Sequence, residues 1–247
     1  MAESNWFDSA SMFPESPVLQ EKIREHFVWA KELGISTIRD LNVAIAENRA
    51  DGIIRIAEAR HNKSLVEIAA EIDKRKAKLI LVAGPSSAGK TTFSKRLCTY
   101  LRVFGHKTLL ISTDDYFVGD KRNPKDVNGK LDYEHIDAVD RPRMTADLQA
   151  LFRGEPVKMR AFNFALHDGY DRDEPSRLES GGIVVMEGIH CLNPDLLPGF
   201  GDSGVFRVYL NTLAPVRNND GSPIFPEDSR ILRRLLRDAK YRKMSTE

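Results

Sequence analysis

The chain has 247 residues, with 37 Lys and Arg against 36 Asp and Glu, a formal net charge of +1 and acids and bases interspersed. That length suits one large domain or an ordinary domain with an appendage, and the charge balance argues against a nucleic-acid or membrane surface. The only two cysteines, Cys98 and Cys191, lie far apart in apolar segments, so they suggest neither a disulfide framework nor a zinc site, and a reducing cytoplasmic setting is the default. Met1 to Pro17 carries acids and no apolar core, and no apolar run approaches the length of a membrane span, so neither a signal peptide nor a membrane partner is expected.

Met1 to Pro14, with Trp6, Phe7 and Phe13, reads as a loosely held arm. Ser16-Pro17 is a helix start, followed by Val18, Leu19, Ile23, Phe27, Ala30 and Leu33 at helical spacing until Gly34. Ser36 is expected to open a second short helix through Ile38, Leu41 and Ile45. Asp51-Gly52 predicts a break before a helix over 53–60, and Ser64-x-x-Glu67 reads as a capping box opening another helix to about Lys76. Residues 1–77 therefore form an all-helical region. Its basic end, Lys74-Arg75-Lys76-Ala77-Lys78, reads as a solvated helix terminus rather than a nucleic-acid patch.

From Lys78 the pattern changes to alternating strands and helices, which predicts a parallel sheet with flanking helices over 78–247. Leu79 to Ala83 is a buried strand, and Gly84-Pro85-Ser86-Ser87-Ala88-Gly89-Lys90-Thr91-Thr92 follows in the G-x-x-x-x-G-K-[ST] order of a phosphate-binding loop. Small residues let the backbone curl so that successive N–H groups face one centre, and the helix opening at Lys90 adds its positive end. Gly84, Ser86, Ser87, Ala88, Gly89, Lys90, Thr91 and Thr92 are thus the expected nucleotide-binding residues. Lys90 would reach the terminal phosphates and the Thr91 hydroxyl would ligate Mg²⁺.

The helix runs to Phe104 and stops at Gly105; Thr108 to Ser112 is the second strand, delivering Asp114 and Asp115 to its carboxyl end, where ligands sit in open sheets of this type. Gly119 to Lys130 reads as an exposed loop. Asp132 to Asp137 is dense in groups able to bind a polyol. A short helix spans 144–153, and an extended segment spans 157–164, with Phe162 and Phe164 on one side and Asn163 on the other. Gly182 to Met186 is a third buried strand ending in Glu187, the position and residue type of a Walker B carboxylate. Val205 to Leu210 is the fourth, and the last helix is expected from Glu227 to about Lys243. On it Arg230, Arg233, Arg234 and Arg237 share one face and Ile231, Leu232, Leu235 and Leu236 the other. A cationic stripe of this kind suits a lid over a triphosphate, because arginine forks bind phosphate oxygens in pairs.

Together with the phosphate loop, Asp114-Asp115-Tyr116-Phe117, Tyr133-Glu134-His135-x-Asp137-Ala138-x-Asp140, Phe162-Asn163-Phe164-x-x-His167, Glu187-Gly188-Ile189-His190 and Asp228-x-Arg230-x-x-Arg233-Arg234-x-x-Arg237-Asp238 resemble the uridine kinase and phosphoribulokinase family of P-loop kinases. The resemblance implies the nucleoside- and nucleotide-kinase-like α/β fold, ATP and Mg²⁺ as cofactors, and a small-molecule alcohol as acceptor, a nucleoside being favoured. It implies that Asp114 is the general base, that Lys90, Arg233 and Arg237 act on the transferring phosphoryl group, and that Glu187 joins Thr91 in holding Mg²⁺. Phe117, Tyr133, Glu134, Phe162, Phe164, His167 and Arg230 are the implied substrate contacts, and a homo-oligomer is an open possibility.

Three departures bear on these expectations. Glu134 stands where the family usually has aspartate, and Asn163 replaces the aspartate of the commoner Tyr-Asp-Phe pattern. The insert over 211–226 is longer than in ordinary uridine kinases. The chain also stops at Glu247, where the family continues into a further strand and helix, so the kinase domain is expected to lack that piece. Two alternatives stand beside transfer to the 5′-hydroxyl of uridine or cytidine: a kinase of a sugar phosphate or pantothenate-like alcohol, and an ATP-binding regulatory module without turnover.

Overall fold

The computed structural model describes residues 16–164, 166–237 and 239. The predicted arm before Pro14 and the expected stretch of the last helix beyond residue 239 lie outside them. The contacts gather into two compact units, one of residues 63–210 and one drawn from 1–62 and 211–247.

Every regular element described before residue 78 is a helix: α1 (Pro17–Glu32), α2 (Ile38–Ala46) and α3 (Ala50–Lys74). Ser16 caps α1 by accepting the Leu19 N–H at 3.4 Å, with proline in the first turn. The second helix is capped one residue later than expected. Thr37 and Asp40 form a reciprocal capping box, the Thr37 hydroxyl accepting from the Asp40 N–H at 3.2 Å and the Asp40 carboxylate from the Thr37 N–H at 2.8 Å. Ser36 instead uses its carbonyl to accept the Arg217 N–H at 2.9 Å. Ala30, Ile35 and Ala44 form the small core here, and the Arg217 guanidinium lies 4.3 Å over the Phe27 ring.

The largest difference from the sequence reading is α3. The break at Asp51-Gly52 and the new start at Ser64 are both absent, and one helix of 25 residues runs through them. Gly52 falls in the first turn, where a flexible residue costs the helix little, and neither proline nor glycine interrupts residues 53–74. Leu65, Ala69 and Ile72 are fully buried against the sheet, so packing holds the helix continuous past a cap signal that local sequence alone would have honoured.

The second unit is built on four parallel strands in the order β2-β5-β1-β6, with β1 (Leu79–Ala83), β2 (Thr108–Ser112), β5 (Ile183–Glu187) and β6 (Val205–Tyr209). Alternate residues feed two cores. Ile80, Val82 and Val185 pack beneath α3 and α4 (Lys90–Val103), whereas Leu79, Leu81, Val184 and Met186 face α5 (Arg141–Phe152) and the loops around Tyr116 and Cys191. Strands lacking polar alternation are what a sheet covered on both faces requires. The extended segment expected over 157–164 narrows to β3 (Arg160–Asn163), which pairs antiparallel with β4 (Asp168–Asp171). The Asp-Gly-Tyr-Asp sequence of β4 has no apolar alternation, so it carries no strand signal. In α6 (Pro226–Arg237) the leucine-rich side stays open, Leu236 being 72% exposed.

Because α3 is a single element anchored by Leu65, Leu65→Ala is expected to lower the stability of the chain by about 2–5 kcal/mol, whereas Ile54→Ala, at a site 58% exposed, changes it by less than about 0.5 kcal/mol. Urea unfolding of both variants measures the contrast. Similar losses would indicate that the second half of α3 is not seated on the sheet.

Candidate active site at the carboxyl end of the sheet

Parallel pairing brings the ends of three strands together. Val82 of β1 and Ser112 of β2 are both in register with Glu187 of β5, so the segments that follow β1, β2 and β5 leave the sheet side by side. The loop after β1 contains two left-handed residues, Ser87 with φ 63° and Gly89 with φ 100°, and Gly89 is the N-cap of α4. Left-handed residues just before the positive end of a helix are the backbone arrangement that lets loop amides bind phosphate. The Lys90 ammonium donates to the Pro85 carbonyl across the loop at 3.2 Å.

Two glycines here are demanded by space. A Cβ on Gly84 would stand 2.2 Å from the carbonyl oxygen of Leu210, and one on Gly188 would stand 1.7 Å from Thr113 Oγ1. Both positions let neighbouring segments meet at the strand ends.

Glu187 is buried, and its Oε1 accepts from the Thr91 hydroxyl at 2.8 Å and from the Ser112 hydroxyl at 3.2 Å. Thr91 and Glu187, the two expected metal ligands, are therefore adjacent; Ser112 joins them without a motif to flag it. Among the described residues no group of three or more His, Cys, Asp or Glu side chains could hold a metal. A buried carboxylate supported by hydroxyls, with few protein ligands around it, fits an ion that keeps phosphate and water in its shell.

Asp114 and Asp115, which compete at the sequence level, are separated by their surroundings. Burial raises the pKa of Asp115, opposed by its pairing with Arg172 at 3.3 Å and by the hydrogen bond it accepts from the Phe162 backbone N–H, so its charge is engaged by β3 and the residue after β4. Asp114 is the one that lies among the catalytic candidates. Its pKa is raised to about 6, first by burial and then by the charge of Glu187, with Lys90 opposing both. Arg172 escaped the sequence reading because the hairpin that carries it has no strand signal.

The implied acceptor residues also converge. Phe117 and Tyr133 have ring centroids 5.0 Å apart, Phe117 and Phe162 5.5 Å, and Phe162 and Phe164 5.1 Å, all edge to face. Phe117 and Phe162 are buried in the core, so part of this cluster is structural packing, while Phe164 is 58% exposed and offers a ring face to a ligand. His167 joins through the Tyr133 hydroxyl, 3.2 Å from its Nδ1. Glu134 is exposed, its backbone N–H donating to Asp132 at 2.9 Å.

Arg230, Arg233 and Arg237 lie on α6, in the other unit. Within it Arg230 pairs with Glu227 at 3.4 Å.

A parallel sheet of this strand order with a phosphate loop, a buried strand-end carboxylate and an aspartate beside the loop lysine defines a P-loop kinase. Residues 79–218 match the family described as the phosphoribulokinase / uridine kinase family, and the chain belongs to it. A uridine kinase of Anoxybacillus flavithermus is 30% identical over 174 residues, covering 70% of this chain and 73% of its own. One of Geobacillus kaustophilus is 28% identical over 169 residues, covering 68% and 70%. Among solved structures, a putative fructose transport system kinase from Silicibacter sp. aligns with a TM-score of 0.50 at 15% identity over 72% of this chain and 84% of that one, a likeness of fold.

The raised pKa of Asp114 has a consequence for stability. With an ordinary value of 3.8 in the unfolded chain and about 6 in the folded one, ionising Asp114 disfavours folding increasingly as pH rises through this interval. Asp114→Asn is therefore expected to stabilise the chain at pH 7.5 by about 1–2 kcal/mol, with the gain vanishing below about pH 4. Chemical denaturation at the two pH values measures it, and an equal effect at both would contradict the assigned environment.

Proposed function

We propose that the protein transfers the γ-phosphoryl group of ATP, with Mg²⁺, to the 5′-hydroxyl of a pyrimidine ribonucleoside. The observation that carries this reading is the separation of the two aspartates. Arg172 and a backbone amide engage Asp115, whereas Asp114 remains beside Lys90 and Glu187 with its proton affinity raised toward neutrality. A carboxylate in that position can hold an acceptor hydroxyl in line and take its proton as the new bond to phosphorus forms.

The other residues divide the work. The loop amides from Gly84 to Thr92 and the Lys90 ammonium hold the phosphate chain, and Thr91 with Glu187 would hold Mg²⁺, which when bound neutralises charge on the phosphates. Arg233 and Arg237 are proposed to stabilise charge on the transferring group, with Arg230 toward the substrate; α6 carries them on one face. Most of the rate enhancement then comes from positioning and fixed charge rather than covalent chemistry. On the acceptor side, the exposed ring of Phe164 above the buried Phe162 and Phe117 favours a flat base over a sugar phosphate or a pantothenate-like alcohol, neither of which has a ring to stack. Tyr133 and Glu134 are assigned to the ribose and His167 to the base. We place this kinase region at 78–247, in the cytoplasm; no described helix is long and apolar enough to cross a membrane.

Incubation with ATP, Mg²⁺ and a mixture of uridine, cytidine, ribulose 5-phosphate and pantothenate, with products identified by mass, should yield the pyrimidine monophosphates. Phosphorylation of another alcohol while uridine is left intact would overturn the acceptor assignment. Asp114→Asn is expected to lower kcat by about 10²- to 10⁴-fold with the Kd for ATP within threefold. In the wild type kcat/KM should fall roughly tenfold per pH unit below about 6, as Asp114 becomes protonated. Equal turnover by wild type and Asp114→Asn would remove this residue from the chemistry.

A further inference from the structure

Asp120 lies in a segment whose sequence suggests only a polar loop, and none of the roles above uses it. Its carboxylate nevertheless sits at the centre of a hydrogen-bonded group. The Tyr133 hydroxyl donates to Asp120 Oδ1 at 2.6 Å, the same hydroxyl oxygen lies 3.2 Å from His167 Nδ1, and Nδ1 is 3.4 Å from Asp120 Oδ1. The two loops are also tied through their backbones, the Asp120 N–H donating to the His167 carbonyl at 3.3 Å. Gly119 allows this contact. Its φ is +79°, and a Cβ there would stand 3.0 Å from Asp168 Oδ1 and 3.3 Å from the His167 carbonyl oxygen.

The hydrogens available to these groups place one on Nδ1 of the histidine. A phenol has one hydrogen, and an ionised carboxylate only accepts, so at 2.6 Å the Tyr133 proton belongs to the Asp120 contact. The phenolic oxygen is left as an acceptor toward His167. Both groups facing Nδ1 are therefore acceptors, and Nδ1 must carry a hydrogen. In the uncharged form of the ring, which has only one N–H, Nε2 then keeps a bare lone pair, the reverse of the tautomer that a histidine side chain favours in water.

We propose that Asp120 is a positioning residue of the acceptor pocket: acting through Tyr133, it holds neutral His167 with its hydrogen on Nδ1, so that Nε2 accepts a hydrogen bond from an N–H of the phosphoryl acceptor. Uracil offers such a group at its ring N–H and cytosine at its exocyclic amine. This choice of ligand rests on the nucleoside reading given above; the proton placement does not. A pocket so arranged discriminates by hydrogen-bond polarity as well as by shape, because an acceptor atom presented to Nε2 would leave two lone pairs opposed.

The test separates the two parts. Long-range ¹⁵N–¹H NMR of the full chain at pH 8, with the His167 ring assigned by its loss in His167→Gln, should show a protonated Nδ1 and a bare Nε2 in the wild type. In Asp120→Ala the Tyr133 proton has no better partner than Nδ1, and the hydrogen of His167 should move to Nε2. Tyr133→Phe with Asp120→Ala should return the ring to the mixture of a free histidine. A wild-type ring with its hydrogen on Nε2, or a ring unaffected by Asp120→Ala, overturns the proposal. In kinetics, Asp120→Ala is expected to raise KM for uridine about tenfold while kcat changes less than twofold. For 3-methyluridine, which lacks the ring N–H, KM should be high and equal in both proteins; a tenfold rise there as well would mean that Asp120 acts through folding of the loop, and would sink the assignment. The expected tautomer together with turnover of some acceptor other than a nucleoside would refute the nucleoside reading while supporting the placement of the proton.

Discussion

The register between β2 and β5 is the constraint on which the site depends. Setting Ser112 opposite Glu187, with Val82 of β1 on the other side, makes a buried carboxylate the common neighbour of the phosphate loop and of the segment bearing Asp114. Each hydrophobic strand contributes to this by packing on two faces at once, since a slip of one residue would exchange the residues fed to the two cores. Core packing thereby sets the position of the polar groups to within a hydrogen-bond length.

Crowding acids at these strand ends has an electrostatic cost that the surroundings meet unequally. Glu187 receives two hydroxyl hydrogens, and Asp115, whose pKa burial raises, receives a guanidinium and an amide N–H that oppose the shift. Asp114 has only the partial compensation of Lys90 against burial and the Glu187 charge. Burial thus raises the proton affinity of both aspartates, and Asp114, which lies beside the Glu187 charge, is the one suited to exchange a proton with a substrate.

The parts of this arrangement that were legible in the sequence are those whose signal is local. β1 and β2 fall on the predicted residues because each is a short apolar run bounded by turn residues, and the phosphate loop is recognisable because Gly84 answers a close approach and Gly89 a left-handed φ at fixed spacing. Helix α3 was misread for the opposite reason: Ser64 and Glu67 satisfy a capping pattern, but distant packing by Leu65, Ala69 and Ile72 outweighs it. Ser112, Asp120 and Arg172 were invisible as site residues because each acquires its partner from a segment 75, 13 and 57 positions away, and nothing in their own neighbourhoods marks them. The family resemblance supplied the aromatic residues by position; which of them is core and which is open emerged only from burial.

The two space-limited glycines carry an evolutionary consequence. Gly84 is held by the Leu210 carbonyl and Gly188 by the Thr113 side chain, so both answer to the folding of the sheet whatever else they do. A descendant that had abandoned phosphoryl transfer would still be obliged to keep them, while Lys90, Asp114 and Thr91 could drift. When a lineage of this fold is judged for lost activity, intact Gly84 and Gly188 therefore say little, and the lysine, the threonine and the aspartate are the positions that testify.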